Sequence, residues 1–365
     1  MIKSRKKVVF VINDITAKGG EERMCSIIAN YLNEHGYDVS IFSLVSHNGR
    51  NPFFKISDDI QIIHLLGLFI ERRVRQYLPW LNYLRKKLRW FLTKLNPDII
   101  IDVEVAVTPL TCKASEGLGI KHISWDHFPY INHVEIMPRL IPYLRTVDKI
   151  VVLTNGNKKS YIEDSQISPL NVVQISNPSP IELCTYTSHS DNVVLAMGRL
   201  EYLKGFDRLL NIWARIEPQM PDWKLKIVGS GGYERALKEQ ANLLGLCRVN
   251  FYPHTSSPIE QYKGASIFVL TSRLEGYGLV LLEALNMSLP IVSYDCENGP
   301  REILVDGYNG YLVPDGDAEM FVDKLLQLMQ DGQLRNKFGN NAIISASKFS
   351  LENIGQQWLE LLESI

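Results

Sequence analysis

Two cations, Arg199 and Lys204, lie five positions apart between an apolar run and an amphipathic run. Cations at this spacing, together with the free N–H groups and dipole of a helix N-terminus, can hold a dianionic group such as a phosphate. A solvated charge pair at the start of a helix would use the same residues. Taken alone, the segment leaves both readings open.

Two acidic residues, Glu275 and Glu283, enclose a segment that contains Gly276 and Gly278. Carboxylate oxygens accept hydrogens from hydroxyl groups, so this pair beside glycine N–H groups could hold a sugar ring and a ribose together. The glycines allow an unusual backbone path, and a helix is expected to begin near Gly278. The alternative is that Glu283 only caps or solvates that helix.

A histidine and an aspartate, His127 and Asp126, stand at the end of the apolar run Lys121–Trp125. Side chains at the carboxyl end of a strand in an α/β sheet lie on the side where ligands bind. A catalytic or substrate-binding role for His127 is therefore as well supported as a structural one. His122 and His133 form no convincing metal spacing with it.

Three further segments fit either ligand contact or ordinary turns. Gly19 and Gly20 permit close approach of a ligand to the backbone, although no G-x-G-x-x-G fingerprint is present. The segment Gly229–Gly232 favours a tight strand-to-helix turn over a phosphate contact. Arg301 could reach a ligand, but a surface pair with Glu302 is slightly favoured.

One segment, Asp315 to Asp317, resembles the D-x-D metal-binding pair of some sugar-modifying enzymes. It directly precedes a helical run that starts at Ala318. Asp317 is therefore predicted to be a helix N-cap, and no metal site is predicted.

Residues 71–95 combine basic and apolar side chains. One acidic residue, Glu71, stands against these basic ones: Arg72, Arg73, Arg75, Arg85, Lys86, Lys87, Arg89 and Lys94. With Trp80 and Trp90 interleaved, the pattern is typical of a basic amphipathic helix on an anionic membrane. The alternative is that this stretch is an outer helix of the first domain with its apolar side on the core. Both interpretations are compatible if only part of the helix packs on the core.

Apolar runs alternate with helical periods along the chain. Before residue 176 the predicted strands are Val8–Ile12, Asp38–Leu44, Asp98–Val103, Lys121–Trp125 and Lys149–Leu153. After residue 192 they are Val193–Met197, Lys224–Val228, Val249–Tyr252, Ile267–Thr271 and Pro290–Ser293. This alternation predicts parallel sheets covered by helices on both faces.

The predicted organisation is two doubly wound, Rossmann-like α/β domains that face a central cleft. Residues 1–176 form the first domain and residues 192–347 the second. Residues 177–191, which begin Asn177-Pro178-Ser179-Pro180, break the alternation and are the predicted linker. Residues 348–365 form a helical tail.

Length and composition fit a globular protein with two domains. The chain has 365 residues, 45% hydrophobic and 22% charged, which excludes a disordered, collagen-like or coiled-coil chain. No apolar run reaches the roughly 20 residues of a membrane span. Five cysteines without a C-x-x-C pair favour a reduced, cytoplasmic protein.

Charge is divided unevenly between the two halves. Residues 1–180 carry 23 basic and 17 acidic residues, and the remainder carries 16 and 23. The basic half could face anionic lipid, phosphate or nucleic acid, although no nucleic-acid motif appears and no nucleic-acid partner is expected.

Five motifs in this order resemble glycosyltransferase family 4, retaining enzymes of the GT-B fold. They are G-G-x-E-R from Gly19, G-R-L-x-x-x-K-G-F from Gly198, V-G-x-G from Val228, S-R-x-E-G-x-G-x-x-x-x-E from Ser272 and G-P-R-E-I from Gly299. The resemblance covers nearly the whole chain, and among members it is greatest for bacterial enzymes that build surface polysaccharide on lipid carriers. Glu21 departs from the family pattern, where Ala is common.

The resemblance implies roles for individual residues. Arg199 and Lys204 would hold the donor pyrophosphate, Glu283 the nucleotide ribose, and Glu275 the hydroxyl groups of the donor sugar. The implied donor site as a whole comprises Gly19, Gly20, Arg199, Lys204, Glu275, Gly276, Tyr277, Gly278 and Glu283.

From the first domain, His127 would lie beside the transferred sugar. The implied catalytic residues are then His127, Arg199, Lys204 and Glu275, with Asp126 and Arg301 in accessory or acceptor positions. The last helix would return to the first domain.

The implied reaction moves a hexose or N-acetylhexosamine from a UDP-sugar to a lipid-linked saccharide, with retention and with no metal or other cofactor. The implied setting is bacterial polysaccharide, O-antigen or capsule assembly on the inner face of the cytoplasmic membrane. Cations and a helix N-terminus would stabilise the leaving diphosphate. Two alternatives stay open, a sugar-nucleotide isomerase or epimerase and a non-catalytic nucleotide-sugar binding protein.

Overall fold

The computed structural model describes residues 5–47, 49, 51–66, 78–183, 191–255 and 257–365. By internal contacts the chain divides into two compact units. The first unit is Met1–Pro178 with Leu351–Ile365, and the second unit is Ser179–Ser350. The predicted linker at 177–191 lies partly outside the described residues.

The first unit is built on a seven-stranded sheet in which all strand pairs are parallel, in the order β3-β2-β1-β4-β5-β6-β7. Its strands are β1 Lys7–Ile12, β2 Asp38–Ser43, β3 Gln61–His64, β4 Ile99–Val103, β5 Lys121–Asp126, β6 Lys149–Val152 and β7 Val172–Gln174. Its helices are α1 Gly20–Glu34, α2 Leu78–Leu95, α3 Thr108–Ser115, α4 Met137–Leu144, α5 Asn155–Glu163 and, from the end of the chain, α13 Leu351–Glu363.

The second unit repeats this plan with a six-stranded parallel sheet, in the order β10-β9-β8-β11-β12-β13. Its strands are β8 Val193–Met197, β9 Lys224–Val228, β10 Val249–Tyr252, β11 Ile267–Leu270, β12 Ile291–Asp295 and β13 Gly310–Pro314. Its helices are α6 Phe206–Ile216, α7 Glu234–Leu243, α8 Ile259–Lys263, α9 Leu279–Asn286, α10 Pro300–Ile303, α11 Ala318–Gln330 and α12 Gly332–Ala346.

Both sheets are doubly wound, so the predicted fold class is confirmed. The strand β8 is apolar throughout, and it has the predicted bounds because a strand buried on both faces reads as a continuous apolar run. The predicted bounds of β9 and β10 also agree with the structure, although these strands contain polar residues and are only partly buried. Sequence reasoning did not identify β3, β7 or β13. These edge strands are short or contain polar, glycine or proline residues, as in Gln61–His64 and Gly310–Pro314.

The helix α2 packs only one of its faces. Leu84, Leu88 and Leu92 belong to the core under the sheet, whereas Trp80 and Trp90 on the same helix are exposed. The core-packing interpretation of this stretch is therefore confirmed for one face. Residues 71–77, which hold Arg72, Arg73 and Arg75, lie outside the described residues. No helix among the described residues is long and apolar enough to cross a membrane.

The last helix packs within the first unit. The ring of Trp358 on α13 meets the ring of Trp125 on β5 edge to face, with centroids 4.8 Å apart. Gly355 lies against the ring of Tyr31 on α1, where a side chain would not fit. Lys6 also donates to the backbone oxygen of Leu362 at 3.0 Å. The tail thus completes the core around the strand that ends at Asp126.

A buried ion pair joins two neighbouring strands of the first sheet. His122 Nε2 lies 2.6 Å from Asp102 Oδ2, and both side chains are almost fully buried. Burial alone lowers the pKa of His122, but the carboxylate of Asp102 outweighs burial and raises that pKa to about 10. The folded protein therefore keeps His122 protonated at neutral pH.

We expect the His122–Asp102 pair to make stability fall with rising pH. The folded state keeps a proton that the unfolded state releases near pH 6.5, so the contribution is complete below that pH. It is lost as the pH rises towards 10, with a slope of up to about 1.4 kcal/mol per pH unit. Denaturant unfolding of the wild type and of His122→Gln from pH 6 to pH 9.5 measures this difference.

The gap in unfolding free energy between the two proteins is expected to narrow as pH rises. The matched control is His254→Gln, at an exposed histidine of the second unit. A gap that stays constant across the range, or that matches the control, would contradict the assignment.

Candidate active site

Two loops of the second unit meet where the sheet changes winding direction. The strands β8 and β11 are neighbours in the sheet but distant in the sequence, so the loops after Met197 and Leu270 leave side by side. In doubly wound sheets this is the point where ligands bind. These loops carry the Arg199–Lys204 segment and the Glu275–Glu283 segment, so tertiary structure brings the two predicted clusters together.

Close backbone contact holds the two loops together. Gly205 has a φ of +65°, and a Cβ built on it would collide with the carbonyl oxygen of Thr271. The Thr271 hydroxyl in turn donates to the Gly205 carbonyl oxygen at 2.9 Å. A glycine is therefore required there for both conformation and space.

The central interaction of the site is an ion pair between Lys204 and Glu275. Lys204 Nζ donates to Glu275 Oε1 at 2.7 Å and to Oε2 at 2.8 Å. Ser272 Oγ donates to Oε1 at 2.6 Å. The side chain of Glu275 is 6% exposed and that of Lys204 is 24% exposed, so the carboxylate is buried and its cation reaches the surface.

The two predicted phosphate-binding cations differ in their surroundings. Arg199 is 74% exposed, and its nearest partner is Glu201 at 3.3 Å. Such an exposed pair contributes little to stability, so Arg199 can turn to a ligand at small cost. Lys204 is committed to Glu275 instead. Replacing Lys204 therefore affects the protein's stability as well as any bound phosphate.

Glu283 is a buried carboxylate within α9, not an exposed cap. The helix begins at Leu279 after Gly278, whose φ is +91°, as expected from the glycine pattern. The Tyr262 hydroxyl on α8 donates to Glu283 Oε2 at 2.6 Å. The reading that Glu283 merely caps or solvates the helix is therefore wrong, since the side chain is buried. Sequence reasoning missed Tyr262, because nothing near it in sequence points to Glu283.

The loop between Glu275 and Gly278 packs directly on the turn before α10. A Cβ on Gly299 would lie 2.6 Å from the carbonyl oxygen of Tyr277 and 3.0 Å from Glu275 Cβ. Tyr277 itself is buried. The position of the Gly276-containing loop thus depends on a glycine far along the chain.

The glycines of the β9 loop serve packing. Side chains built on Gly229 and Gly231 would collide with the carbonyl oxygens of Gly198 and Leu200. The tight-turn prediction for Gly229–Gly232 agrees with this arrangement, and these glycines hold the loop that carries Arg199.

Arg301 has a different partner from the one suggested by sequence. Its guanidinium makes a bidentate salt bridge with Asp295, in which Nε donates to Oδ1 at 2.9 Å and Nη2 donates to Oδ2 at 2.8 Å. The structure therefore anchors Arg301 to the end of β12. Pro300 occupies the first helical position of α10, as the motif indicates.

The two carboxylates of the Asp315–Asp317 segment contact groups of the second unit. Asp317 caps α11 by accepting the Met320 backbone N–H at 3.0 Å, which confirms the N-cap prediction. Asp315 pairs with Arg208 at 2.6 Å. Within the described residues, no group of three or more His, Cys, Asp or Glu side chains could hold a metal ion.

One arginine near the site, Arg273, belongs to a family motif but has no role predicted from the sequence. Arg273 binds both carboxylate oxygens of Asp207, at 2.7 Å and 2.6 Å, and lies 3.8 Å from the ring centroid of Tyr202. It also donates to the Tyr202 backbone oxygen. Arg273 therefore fixes the short turn that precedes Lys204. Its signal in the sequence is its place as the arginine of the S-R-x-E-G motif, two positions before Glu275.

In the first unit, Asp126 ends β5 as a fully buried hub. Its oxygens accept the Tyr161 hydroxyl at 2.7 Å, His133 Nε2 at 3.1 Å and the Phe128 backbone N–H at 3.1 Å. These contacts organise the loop that carries His127. Asp126 therefore acts on that loop through its buried contacts.

His127 is neutral and has an unsatisfied ring nitrogen. The ring lies against Trp125, with centroids 4.1 Å apart, and the residue is 9% exposed. Burial lowers the pKa of His127 to about 4. Its Nε2 has no hydrogen-bond partner in the part of the chain that the structure describes. A buried imidazole with a free nitrogen is suited to one hydrogen bond with a ligand.

The Gly19–Gly20 loop is the N-cap of α1, and a carboxylate lies beneath it. Glu22 is buried, and its side chain occupies the space next to Gly19. Burial and the nearby Asp14 raise the pKa of Glu22, although backbone N–H groups of Gly19 and Glu22 oppose the shift. The acidic residue under the loop is therefore Glu22, whereas sequence comparison had drawn attention to Glu21.

Two family models match consecutive parts of the chain. The model described as Glycosyltransferase Family 4 matches residues 18–182. The model described as Glycosyl transferases group 1 matches residues 186–344. Together they span both units.

Similar proteins of the same length are known from bacteria. An uncharacterized glycosyltransferase of Haemophilus influenzae is 33% identical over 98% of this chain and 100% of its own. The amylovoran biosynthesis glycosyltransferase AmsD of Erwinia amylovora is 30% identical, over 98% and 99%. An alpha-1,4-N-acetyl-D-galactosaminyltransferase of Campylobacter jejuni, whose name specifies a PP-undecaprenol-linked acceptor, is 26% identical over 98% and 99%.

Solved structures share the fold over nearly the full length. The lipopolysaccharide outer core galactosyltransferase WaaB, in its apo form, gives a TM-score of 0.79 at 22% identity, covering 98% of this chain and 99% of WaaB. Anabaena HepE in complex with UDP and glucose gives a TM-score of 0.77 at 18% identity, and the match covers 98% of this chain and 99% of HepE. The chain belongs to glycosyltransferase family 4, and it is a glycosyltransferase with the GT-B fold.

We expect Lys204 and Glu275 to stabilise the second unit jointly. Lys204→Met leaves a buried carboxylate without its cation, and Glu275→Gln leaves the cation without its carboxylate, so each single change costs about 1–3 kcal/mol. The double variant removes both charges and costs less than the sum of the single changes. Denaturant unfolding of the four proteins gives the coupling energy.

The exposed pair Arg235–Glu239, with N and O 2.8 Å apart on α7, is the matched control. Its coupling is expected to stay near 0.5 kcal/mol or less. A Lys204–Glu275 coupling no larger than that value would contradict the central role of the pair.

Proposed function

We propose that this family 4 glycosyltransferase moves a hexose or N-acetylhexosamine, with retention, from a UDP-sugar to a lipid-linked saccharide during assembly of a bacterial surface polysaccharide. The observation that carries the proposal is that two neighbouring loops of the second unit bring together buried carboxylates and cations. One loop carries Arg199 and Lys204, the other leads through Glu275 to Glu283, and Lys204 binds Glu275 directly. The names of the similar proteins, which include lipopolysaccharide and amylovoran enzymes, support the setting.

The two carboxylates suit different hydroxyl groups of the donor. Glu283 keeps one oxygen on Tyr262, and this fixed geometry favours binding of a ribose diol. Glu275 is held by Lys204 and Ser272, which orient it towards hydroxyls of the donor sugar. HepE, a structural neighbour, has been crystallised with UDP and glucose, and this supports a UDP-sugar donor.

Stabilisation of the leaving diphosphate is the main chemical task. The N-terminus of α6 directly follows Lys204 and Gly205, so its free N–H groups add to the charges of Arg199 and Lys204. As the bond to the sugar breaks, negative charge grows on the diphosphate and these groups compensate it. The proposed reaction needs no divalent metal, because these groups supply the positive charge.

Retention is proposed to proceed by attack from the face that the diphosphate leaves. The acceptor hydroxyl then transfers its proton towards the departing phosphate oxygen. From the first unit, His127 is proposed to contact the transferred sugar through its neutral imidazole, and the Gly19–Gly20 loop to contact the donor phosphates and the acceptor. A neutral ring accepts or donates one hydrogen bond there without adding charge.

The exposed face of α2 is proposed to bind an anionic membrane. Trp80, Tyr83, Trp90 and Lys94 are exposed and recur at spacings of three, seven and four residues, so they form one stripe. Lys94 lies 5.3 Å from the Trp90 ring centroid. Aromatic rings beside cations suit the interface between headgroups and acyl chains. Such binding would bring the enzyme to a lipid-linked acceptor at the cytoplasmic face.

We expect UDP to stabilise the protein more than GDP, ADP or NAD. A ligand at 100 times its dissociation constant adds about 2.7 kcal/mol, which is visible as a shift of the melting temperature. Glu283→Gln should abolish the UDP shift, whereas Glu239→Gln, an exposed change on α7, should keep it. A shift with GDP or ADP instead would overturn the UDP assignment, and no shift with any nucleotide would remove the support for this donor site.

We expect Arg199→Ala to lower transfer about 10²- to 10³-fold, as the loss of one charge-stabilising group does elsewhere. Arg199 is exposed, so melting should be unchanged, and Arg235→Ala on α7 is the matched control. The assay measures sugar transfer from UDP-sugars to lipid-linked saccharides, with and without a chelator. Near-normal turnover in Arg199→Ala would refute the phosphate assignment, and a loss of activity with chelator would refute metal independence.

We expect the protein to sediment with phosphatidylserine vesicles and not with phosphatidylcholine vesicles. Replacing Trp80 and Trp90 together by Ser should weaken binding at least about tenfold, the equivalent of about 1.4 kcal/mol. Leu170→Ser, at a residue of the first unit that is 80% exposed, is the control. Equal binding of the two variants would refute the role of the stripe.

A further inference from the structure

Three side chains of the first unit form a chain of polar contacts that ends at a cysteine. Asp102 Oδ2 lies 2.6 Å from His122 Nε2, and His122 Nδ1 lies 3.6 Å from Cys112 Sγ. Thr111 Oγ1 donates to the same oxygen of Asp102 at 2.8 Å. A carboxylate, an imidazole and a thiol in this order are the elements of an activated nucleophile.

The fold creates this arrangement from three separate elements. Asp102 lies on β4, His122 on the neighbouring strand β5, and Cys112 on α3, the helix that follows β4. Because Asp102 engages Nε2 of the ring, Nδ1 is left to face the sulfur. Neither Asp102 nor His122 has a part in the proposed donor or acceptor contacts.

The negative charge of Asp102 favours the protonated form of His122, which places a cation next to the sulfur of Cys112. Asp102 is fully buried, and its Oδ1 has no hydrogen-bond partner in the part of the chain that the structure describes. A buried carboxylate that is short of donors holds a nearby cation strongly. As described above, Asp102 raises the pKa of His122 despite burial, so the ring carries its positive charge at neutral pH.

Other charged groups nearby pair among themselves. Asp148 accepts the His122 backbone N–H at 2.8 Å and the Lys121 ammonium at 2.9 Å. Lys113, the residue after Cys112, lies over the Tyr143 ring at 5.3 Å from its centroid. Thr146 Oγ1, at 3.9 Å, is a further neighbour of the sulfur.

Access distinguishes Cys112 from two of the other three cysteines that the structure describes. Cys25 and Cys296 are buried, and Cys247 is exposed on the second unit. Cys112 is partly exposed, whereas the neighbouring His122 is buried. Cys184 lies outside the described residues.

We propose that Cys112 is a nucleophilic modification site, which reacts with small soft electrophiles and with peroxides because His122 and Asp102 hold a positive charge against its sulfur. With iodoacetamide, a sulfur–carbon bond forms, the carbon–iodine bond breaks and iodide leaves. With hydrogen peroxide, sulfur attacks one oxygen and the O–O bond breaks. The thiol is oxidised to a sulfenic acid, and the peroxide is reduced to water after taking up a proton.

The test measures alkylation of each cysteine in the full-length protein by iodoacetamide at pH values from 6 to 9, with peptide mass spectrometry as the readout. The reactive form of a thiol is the thiolate, so an ordinary cysteine slows about tenfold for each pH unit below its titration range. Cys247 serves as the internal reference. Cys112 is expected to react at least about tenfold faster than Cys247 at pH 6.5 and to lose less of its rate than Cys247 as the pH falls.

A variant separates the effect of the histidine from the position of the cysteine. His122→Gln is expected to slow the alkylation of Cys112 at pH 6.5 and to give it the same pH dependence as Cys247, while His254→Gln leaves the alkylation of Cys112 unchanged. Sulfenic acid formation with hydrogen peroxide, trapped by a dimedone reagent, should follow the same order. If His122→Gln does not fold, the pH profiles of alkylation of Cys112 and Cys247 in the wild type still test the proposal. A Cys112 that is unreactive, or that shows the same pH slope as Cys247, overturns the proposal.

Discussion

The site depends above all on the direct contact of two backbones in the second unit. Gly205 and Thr271 lie so close that only glycine fits between the loops after β8 and β11. This contact brings the loop with Lys204 to the loop with Glu275, which are 71 positions apart in the chain. The close approaches at Gly229, Gly231 and Gly299 support the same two loops from either side. The glycines at 205, 229, 231 and 299 therefore serve loop packing, and this packing determines where the charged residues of the two loops lie.

Burial of charge is the second organising feature. Glu275, Glu283 and Asp126 are all buried acids, and each accepts hydrogen bonds from specific donors. An unpaired buried carboxylate is costly, so each of these networks holds its loop in one arrangement. Arg199 differs because it is exposed and weakly paired. The second unit thus combines carboxylates in fixed positions with a cation that is able to move, as binding of a charged ligand requires.

Two buried histidines of the first unit have pKa values shifted in opposite directions. His122 and His127 lie on the same strand or directly after it, and both are buried. Asp102 keeps His122 charged, whereas His127, packed on Trp125, is neutral because burial dominates. The difference lies in the partner of each ring and not in its exposure. One histidine is therefore suited to act on a nearby sulfur, and the other is suited to make a neutral hydrogen bond with a ligand.

The sequence by itself determined the alternation of strands and helices and the two-part plan. Buried parallel strands must be apolar along their whole length, so runs such as Val193–Met197 were readable without structure. Local turn chemistry also located the start of α9 at Gly278 and the cap at Asp317. These features depend on neighbours within a few positions of the chain.

Only the tertiary structure decided the partners. The folded chain pairs Lys204 with Glu275 and Arg301 with Asp295. It also brings the Tyr262 hydroxyl to Glu283 and the His122 ring to the sulfur of Cys112. Such pairs arise because a parallel sheet brings the ends of distant strands together, and no local pattern records which strands are neighbours. The physical reason is that a side chain's type is written in the sequence, whereas its charge partner and burial depend on residues that reach it only when the chain has folded.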